Sequence, residues 1–278
     1  MLIKKTPWLI RTKSYLKQIN RFIKGKITIH FMVVSVGQAC SLKCKNCANL
    51  TPYCGSENKR YNVEDIIRHI GKISNVANIT CLQIQGGEPF IYSDLSKLIE
   101  AVPDATAIRI ATNGTIIPDK EVLEILKKRN VEVRISDYKI EKYKETVKKL
   151  QEEFKKWDVK FFMYEFTNQT GDWTDMGGVS VPRKDTKTAS DTYWTCSFGK
   201  NCLTLENGML GYCSRAIIAP VVQGYDYNKK DYFYVDKIDK CFKLKLMRYI
   251  QERHPMEVCR YCYGMQGKHI KPAIQLDN

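Results

Sequence analysis

The chain has 278 residues, 44% hydrophobic and 27% charged, with no apolar run near the roughly 18 residues needed to cross a membrane and no secretory signal, so a cytoplasmic location is expected. Eleven cysteines, an odd number in a chain this long, speak against a closed disulfide framework and for metal or metal–sulfur ligation. A net charge of +15 without a nucleic-acid-binding motif points away from nucleic acid and towards anionic small-molecule or glycan-type partners.

The chain opens on a basic segment, residues 1–27. In WLIRTKSYLKQINRFI (8–23), Trp8, Tyr15, Leu16, Ile19, Phe22 and Ile23 fall at roughly helical spacing, with Arg11, Lys17, Arg21 and Lys24 between or just after them. The pattern predicts a basic amphipathic helix. Residues 8–24 suit contact with an anionic membrane surface, or a cap on the fold with a solvated basic face. From residue 28 to about 165, strand and helix patterns then alternate. Strands are predicted over 27–36, 79–85, 107–112, 131–136 and 159–166. Helices are predicted over 63–76 behind an Asn62 cap, after a Ser93 cap, after Pro118, and over 141–157. Such alternation implies a parallel α/β sheet, doubly wound or closed as a barrel, with its chemistry at the C-terminal ends of the strands. A polar, Gly-rich loop follows over 167–195, and cysteines resume at Cys196. The expected division is a core over 28–189 and a small α+β domain over 190–278. Within the latter, CLTLENGMLGYC (202–213) reads as a β-hairpin turning at Asn207-Gly208.

The strand ends carry distinctive residues. The first ends in Cys40-x3-Cys44-x2-Cys47, the second in GGEP (86–89), the third in TNG (112–114) and the fourth in SD (136–137). Structural zinc takes four ligands, usually as two C-x2-C pairs. Cys54, beyond Pro52, is poorly placed to be the fourth. A redox dithiol would leave Cys40 idle. Three thiolates can instead hold three irons of a 4Fe-4S cluster and leave one iron open.

The cysteine triplet at the end of one strand, followed by GGEP at the end of the next, resembles the radical SAM superfamily, and the βα alternation resembles its partial (β/α)6 TIM-like barrel. The resemblance implies that Cys40, Cys44 and Cys47 hold the cluster and that the open iron chelates S-adenosyl-L-methionine (AdoMet). It further implies that Gly86, Gly87, Glu88 and Pro89 receive the methionine amino group. Thr112, Asn113, Ser136 and Asp137 would contact ribose and carboxylate. Asn46 stands where the family commonly has an aromatic residue near the adenine. The implied reaction is reductive cleavage of AdoMet, with an electron from a flavodoxin- or ferredoxin-type donor. The resulting 5′-deoxyadenosyl radical abstracts a carbon-bound hydrogen.

The tail resembles a twitch domain, the short relative of the SPASM domain, which carries one auxiliary 4Fe-4S cluster. Its implied ligands are Cys196, Cys213, Cys259 and Cys262. Cys202 can replace Cys196, Cys241 can replace either, and a four-thiolate zinc site is the alternative. Cys54 and Cys202 are candidate hydrogen-donating thiols, and Asp172 and Asp175 candidate bases, in the loop that also holds Trp173. Cys81, inside a strand, reads as packing, and the four histidines have no ligand-like spacing. The expected activity is oxidation or epimerisation of a carbohydrate or cyclitol, nucleotide- or lipid-linked forms included. The alternative is maturation of a ribosomal peptide, which the short stretch before the first strand disfavours. A simple electron carrier would have no use for GGEP.

Overall fold

The structure, a computed structural model, describes residues 25–166, 173–237 and 240–276. The basic helix expected over 8–23 and Asp172 lie outside the described residues.

Strand β1 (Ile27–Ser35) is buried on both faces over its second half, as befits an interior strand of a parallel sheet. Helix α1 (Val63–Val76) follows, and Asn62 caps it by accepting the Asp65 N–H at 3.2 Å. It buries Val63, Ile66, His69, Ile70 and Ile73, a single helical stripe. The alternation continues through β2 (Ala77–Gln85), α2 (Leu95–Ala101), β3 (Ala107–Thr112), α3 (Lys120–Lys128), β4 (Glu132–Asp137), α4 (Lys144–Lys156) and β5 (Lys160–Glu165). Two caps differ from expectation. Asp94 rather than Ser93 precedes α2, and α3 starts on Asp119, whose carboxylate accepts the Val122 N–H at 2.9 Å.

Neighbouring strands from β1 to β5 pair in parallel. The β1–β2 register runs from Ile27↔Ala77 to Ser35↔Gln85, so both strands finish level and their following loops lie side by side. The tail comprises β6 (Trp173–Thr174), α5 (Thr186–Thr195), α6 (Ser197–Asn201), β7 (Thr204–Glu206), β8 (Met209–Gly211), α7 (Ile218–Gln223), β9 (Phe233–Tyr234), α8 (Phe242–Gln251) and β10 (His269–Ile270). The β7–β8 hairpin turns where predicted, with Asn207 and Gly208 both left-handed (φ 46° and 75°), the geometry of a two-residue type I′ turn.

Among the described residues the sheet order is β5-β4-β3-β2-β1-β7-β8-β9, an open partial barrel. Because the barrel does not close, the far edge of β1 is left to pair with β7, in parallel, at Val33↔Thr204 and Val34↔Leu205. The tail therefore extends the sheet, and its Leu203, Leu205, Leu210 and Tyr212 join one core with Met32, Ile84, Ile110 and Ile135. Buried Glu206 fixes the junction: its Oε1 accepts from Ser35 Oγ (3.0 Å), Gln38 Nε2 (2.7 Å) and Tyr61 Oη (3.0 Å). No helix among the described residues is long and apolar enough to cross a membrane.

Candidate active site and cysteine sites

The loop after β1 is held by backbone bonds on two sides. Gln38 and Ala39 donate to the Asn58 and Lys59 carbonyls (2.7 and 2.9 Å), while Gly87 and Glu88 donate to the Gly37 and Ala39 carbonyls (2.9 and 2.8 Å). A Cβ on Gly87 would lie 2.1 Å from the Ala39 oxygen, so this approach requires glycine. Gly37 has φ +120° and equally little room beside the Lys59 carbonyl.

Cys40, Cys44 and Cys47 border one cavity. Their sulfurs meet N–H donors: Cys40 Sγ accepts from Leu42 N (3.4 Å) and Asn113 Nδ2 (3.5 Å), and Cys44 Sγ from Gln275 Nε2 (3.4 Å). Gln275 belongs to a C-terminal strap that runs antiparallel to the loop, with Lys45 N–Ile274 O and Leu276 N–Lys43 O bonds, both 2.8 Å. Leu42, Cys44 and Ala273 form a small apolar cluster with Cys40, Cys47, Tyr138 and Trp173 around it. Burial pushes the Cys40 thiol up to about 11 and Cys44 up to about 12. Cluster assembly must therefore release protons, and the N–H donors favour the thiolates. Three thiols on one loop, two of them with sulfur-directed donors, and an apolar shell fit a cluster open at one iron. Among the described residues no three His, Cys, Asp or Glu side chains converge as one metal ion would require. Cluster thiolates bind different irons and need no such convergence.

The cavity measures about 350 Å³. Besides the three cysteines, Gly86, Gly87, Thr112, Asn113 and Ser136 line it, as the sequence suggested. The sequence reading missed Arg134, although Arg134, Ser136 and Tyr138 lie at the period-two spacing of one strand face, and all three line the cavity. Among the described residues no carboxylate pairs with Arg134. Its Nε is buried without a partner, and its guanidinium lies over the Tyr164 ring at 6.0 Å. Tyr138, Phe166 and Trp173 make a contiguous aromatic wall, with centroids 4.9–5.8 Å apart. Trp173 Nε1 donates to the Asn46 carbonyl at 3.0 Å, so an aromatic ring does reach this position, from a distant loop.

Other expected residues turn away from the cavity. Glu88 is 1% exposed: its Oε1 accepts from Thr112 Oγ1 (2.8 Å) and Phe90 N (3.1 Å), its Oε2 from Asn113 N (2.8 Å). It braces the strand ends. Pro89 is buried in the turn that follows. Asp137 accepts from its neighbour Lys139, through the backbone N–H (2.9 Å) and Nζ (2.8 Å). Asp175 accepts the Gly177 N–H at 2.9 Å and caps its own turn. Cys54 is buried in the main core, its Sγ 3.5 Å from the Leu50 carbonyl, and burial pushes it up to about 12. Cys202 lies beside Cys196, pushed up to about 11 by burial. Asn46, Glu88, Pro89, Asp137, Asp175, Cys54 and Cys202 are all absent from the cavity lining.

The tail brings Cys196, Cys202, Cys213, Cys259 and Cys262 within electrostatic reach of one another. Burial raises Cys213 well above the ordinary thiol range, and Cys262, Cys196 and Cys202 add to the rise. Burial pushes Cys259 up to about 12, with Cys262 and Cys196 contributing. Cys262 Sγ accepts the Gly264 N–H at 3.2 Å. Cys241 is exposed and Cys81 half-buried on β2. Buried thiols with a backbone donor fit a metal–sulfur group. Phe198, Ser214 and Met265 carry the tail to the rim of the cavity.

Residues 34–136 match the profile of the Radical SAM superfamily and form a radical SAM domain. The chain is 26% identical over 121 residues to a GTP 3′,8-cyclase of Alkaliphilus oremlandii, covering 42% of this chain and 38% of that protein. It is 29% identical over 93 residues to the GTP 3′,8-cyclase of Clostridium acetobutylicum, covering 32% and 29%. The chain thus spans less than two fifths of the length of these curated relatives. Among solved structures, BtrN in complex with AdoMet and 2-DOIA shares the fold at a TM-score of 0.57 and 13% identity, over 91% of this chain and 99% of that one.

Proposed function

We propose that this chain cleaves AdoMet reductively and removes a carbon-bound hydrogen from a compact, anionic substrate of carbohydrate or cyclitol type, with oxidation as the outcome. One observation carries the reading. A single cavity is bordered by all three cysteines of the triplet, by the glycines and polar residues at the next three strand ends, and by the Arg134 guanidinium. When bound, AdoMet and the first cluster supply a carbon radical, formed with one electron from an external flavodoxin- or ferredoxin-type donor, and an auxiliary cluster supplies an acceptor for a second electron.

The chain's own residues set the conditions for that chemistry. Cys40, Cys44 and Cys47 would hold the first cluster, and Cys196, Cys213, Cys259 and Cys262 the auxiliary one. Glu88 fixes Thr112 and Asn113 at the cavity floor. Tyr138, Phe166 and Trp173 exclude water from one side. Arg134 offers charge-assisted hydrogen bonds to an anionic group. A small substrate beside AdoMet is in keeping with the complex of fold-sharing BtrN with AdoMet and 2-DOIA. Oxidation of a carbinol removes one hydrogen atom, one electron and one proton. A cluster held by the tail cysteines would take the electron, and the hydroxyl proton would leave to solvent. Among the described lining residues the only thiols are those of the triplet, which favours oxidation over epimerisation by a hydrogen-donating cysteine.

The test is anaerobic reconstitution followed by reduction with AdoMet. About eight irons per chain are expected for two 4Fe-4S clusters, together with 5′-deoxyadenosine formation. Replacing Cys40, Cys44 and Cys47 by alanine should abolish 5′-deoxyadenosine. Replacing Cys259 and Cys262 should halve the iron and leave it forming. Fully loaded wild-type protein that makes none above background would overturn the proposal.

A further inference from the structure

We propose that Arg215 is the fixed counter-charge of the tail cysteine site and the tie between that site and the loop of the cysteine triplet. The inference rests on the reading of the tail set as a cluster site. Arg215 is 1% exposed and among the largest fully buried side chains. Its Nη1 donates to the Ala48 carbonyl (3.1 Å), and its Nη2 to the Gly177 (2.6 Å) and Gly178 (3.2 Å) carbonyls. Its buried Nε has no partner. Among the described residues no carboxylate forms an ion pair with it.

A guanidinium carries its charge throughout the pH range of folded proteins, and burying it without an opposite charge is costly. Carbonyl dipoles offset part of that cost but carry no net charge. Thiolates at the adjoining tail cysteines would supply the opposite charge once they hold a cluster. Arg215 stands two residues after Cys213, and burial raises the Cys262 thiol while the Arg215 charge works against that rise. A cluster held by four thiolates is net negative and becomes more so on reduction. A fixed positive charge beside it therefore favours the reduced state, which is what an electron acceptor needs.

The same side chain reaches the other site. Ala48 directly follows Cys47, so the Arg215–Ala48 bond joins the two cysteine loops almost end to end. Next to it, Ser214 Oγ donates to Asn49 Oδ1 at 2.9 Å. Residues 213–215 thus form a short bridge from one set to the other along the cavity rim, where Ala48, Asn49 and Ser214 all sit.

The experiment is a redox titration of the auxiliary cluster, followed by electron paramagnetic resonance, in reconstituted wild-type, R215Q and R215K proteins. In R215Q the ratio of reduced to oxidised auxiliary cluster at a fixed potential should fall about tenfold, ~59 mV for a one-electron couple. The first cluster should shift far less, and R215K should stay near wild type. A second variant removes dependence on R215Q folding. Gln223 Nε2 shares the Gly178 carbonyl with Arg215, and Gln223 Oε1 is buried without a partner. Q223E places a carboxylate beside an intact Arg215 and should lower the same ratio. Full iron content with an unmoved auxiliary potential in R215Q, or in Q223E if R215Q does not fold, overturns the role of Arg215 alone. Wild-type protein that binds iron for one cluster only overturns the tail cluster itself, and the counter-charge with it.

Discussion

The Asn113 N–H donates to Glu88 Oε2 across 2.8 Å, joining the end of β3 to the turn after β2. With Thr112 Oγ1 and Phe90 N on the other oxygen, the acid of GGEP clamps two strand ends from below. Glu88→Gln must point its amide at one of these donors. An unmet hydrogen bond at a buried site costs about 1–3 kcal/mol. The variant is expected to unfold at lower temperature and to bind AdoMet more weakly, by thermal melting and equilibrium dialysis. Unchanged values for both would show that the clamp is dispensable.

Burial pushes the Glu88 carboxyl up to about 7, against the pull of its bonds from Asn113, Phe90 and Thr112. In the unfolded chain a glutamate titrates near 4.3, so between these values the folded state binds more protons and stability falls as pH rises. The contribution of Glu88 is full below pH ~4.3 and lost as pH rises through ~7, at most about 4 kcal/mol. Glu206, pushed up to about 6 chiefly by burial, acts in the same direction. Melting temperatures from pH 5 to 8 should decline more steeply in wild type than in Glu88→Gln; parallel profiles would sink the assignment.

Glycine substitutions should separate the loop contact from general helix effects. Gly87→Ala places a methyl 2.1 Å from the Ala39 carbonyl oxygen, and the backbones must part. The expected cost is about 1–3 kcal/mol, with poorer iron incorporation at the triplet. Gly71, inside α1, has nothing within 4 Å of an added Cβ. Gly71→Ala should stabilise by about 0.5–1 kcal/mol and leave iron content unchanged. Chemical denaturation and iron analysis of the two variants provide the comparison.

The C-terminal strap should protect the first cluster. Gln275→Ala removes the donor to Cys44 Sγ and the Oε1 acceptor of the Lys43 N–H (2.8 Å), and leaves the backbone pairing of the strap in place. A net hydrogen-bond contribution of about 0.5–1.5 kcal/mol corresponds to roughly 2- to 10-fold faster loss of iron to a chelator. Equal rates in variant and wild type would leave the strap without this role.

Much of this site is legible in the sequence because parallel β/α folding puts successive strand ends on one edge. Cys40, Gly86, Thr112 and Ser136 share a cavity for that reason. The local signals at Asn62 and Asn207-Gly208 translate directly into a cap and a turn. What sequence reading missed depends on contacts between distant segments. Gln275 meets Cys44 across 231 positions, and Trp173 reaches Asn46 across 127. Glu88 has the right charge for an ammonium, but only the fold shows it buried and accepting from Thr112, Phe90 and Asn113. The pairing of the tail with the first strand has no local sequence signal. The unclosed sheet drew β7 onto β1 because a free strand edge needs a partner.

Arg134 provides the last test, and the one that bears on substrate. Arg134 is half-buried, and its Nε is buried without a partner. Arg134→Met keeps the bulk and removes the charge. The variant should melt no earlier than wild type, because the half-buried guanidinium has no ion pair among the described residues to lose. Hydrogen bonds to charged groups contribute about 1.5–3 kcal/mol, so affinity for inorganic phosphate should fall about 10- to 100-fold. Affinity for AdoMet should change less than about threefold, since no charged contact to it is lost. Phosphate-dependent thermal shifts and AdoMet dialysis measure both. Tenfold weaker AdoMet binding, with decarboxylated AdoMet unaffected, would instead give the guanidinium to the methionine carboxylate and remove the argument for an anionic substrate.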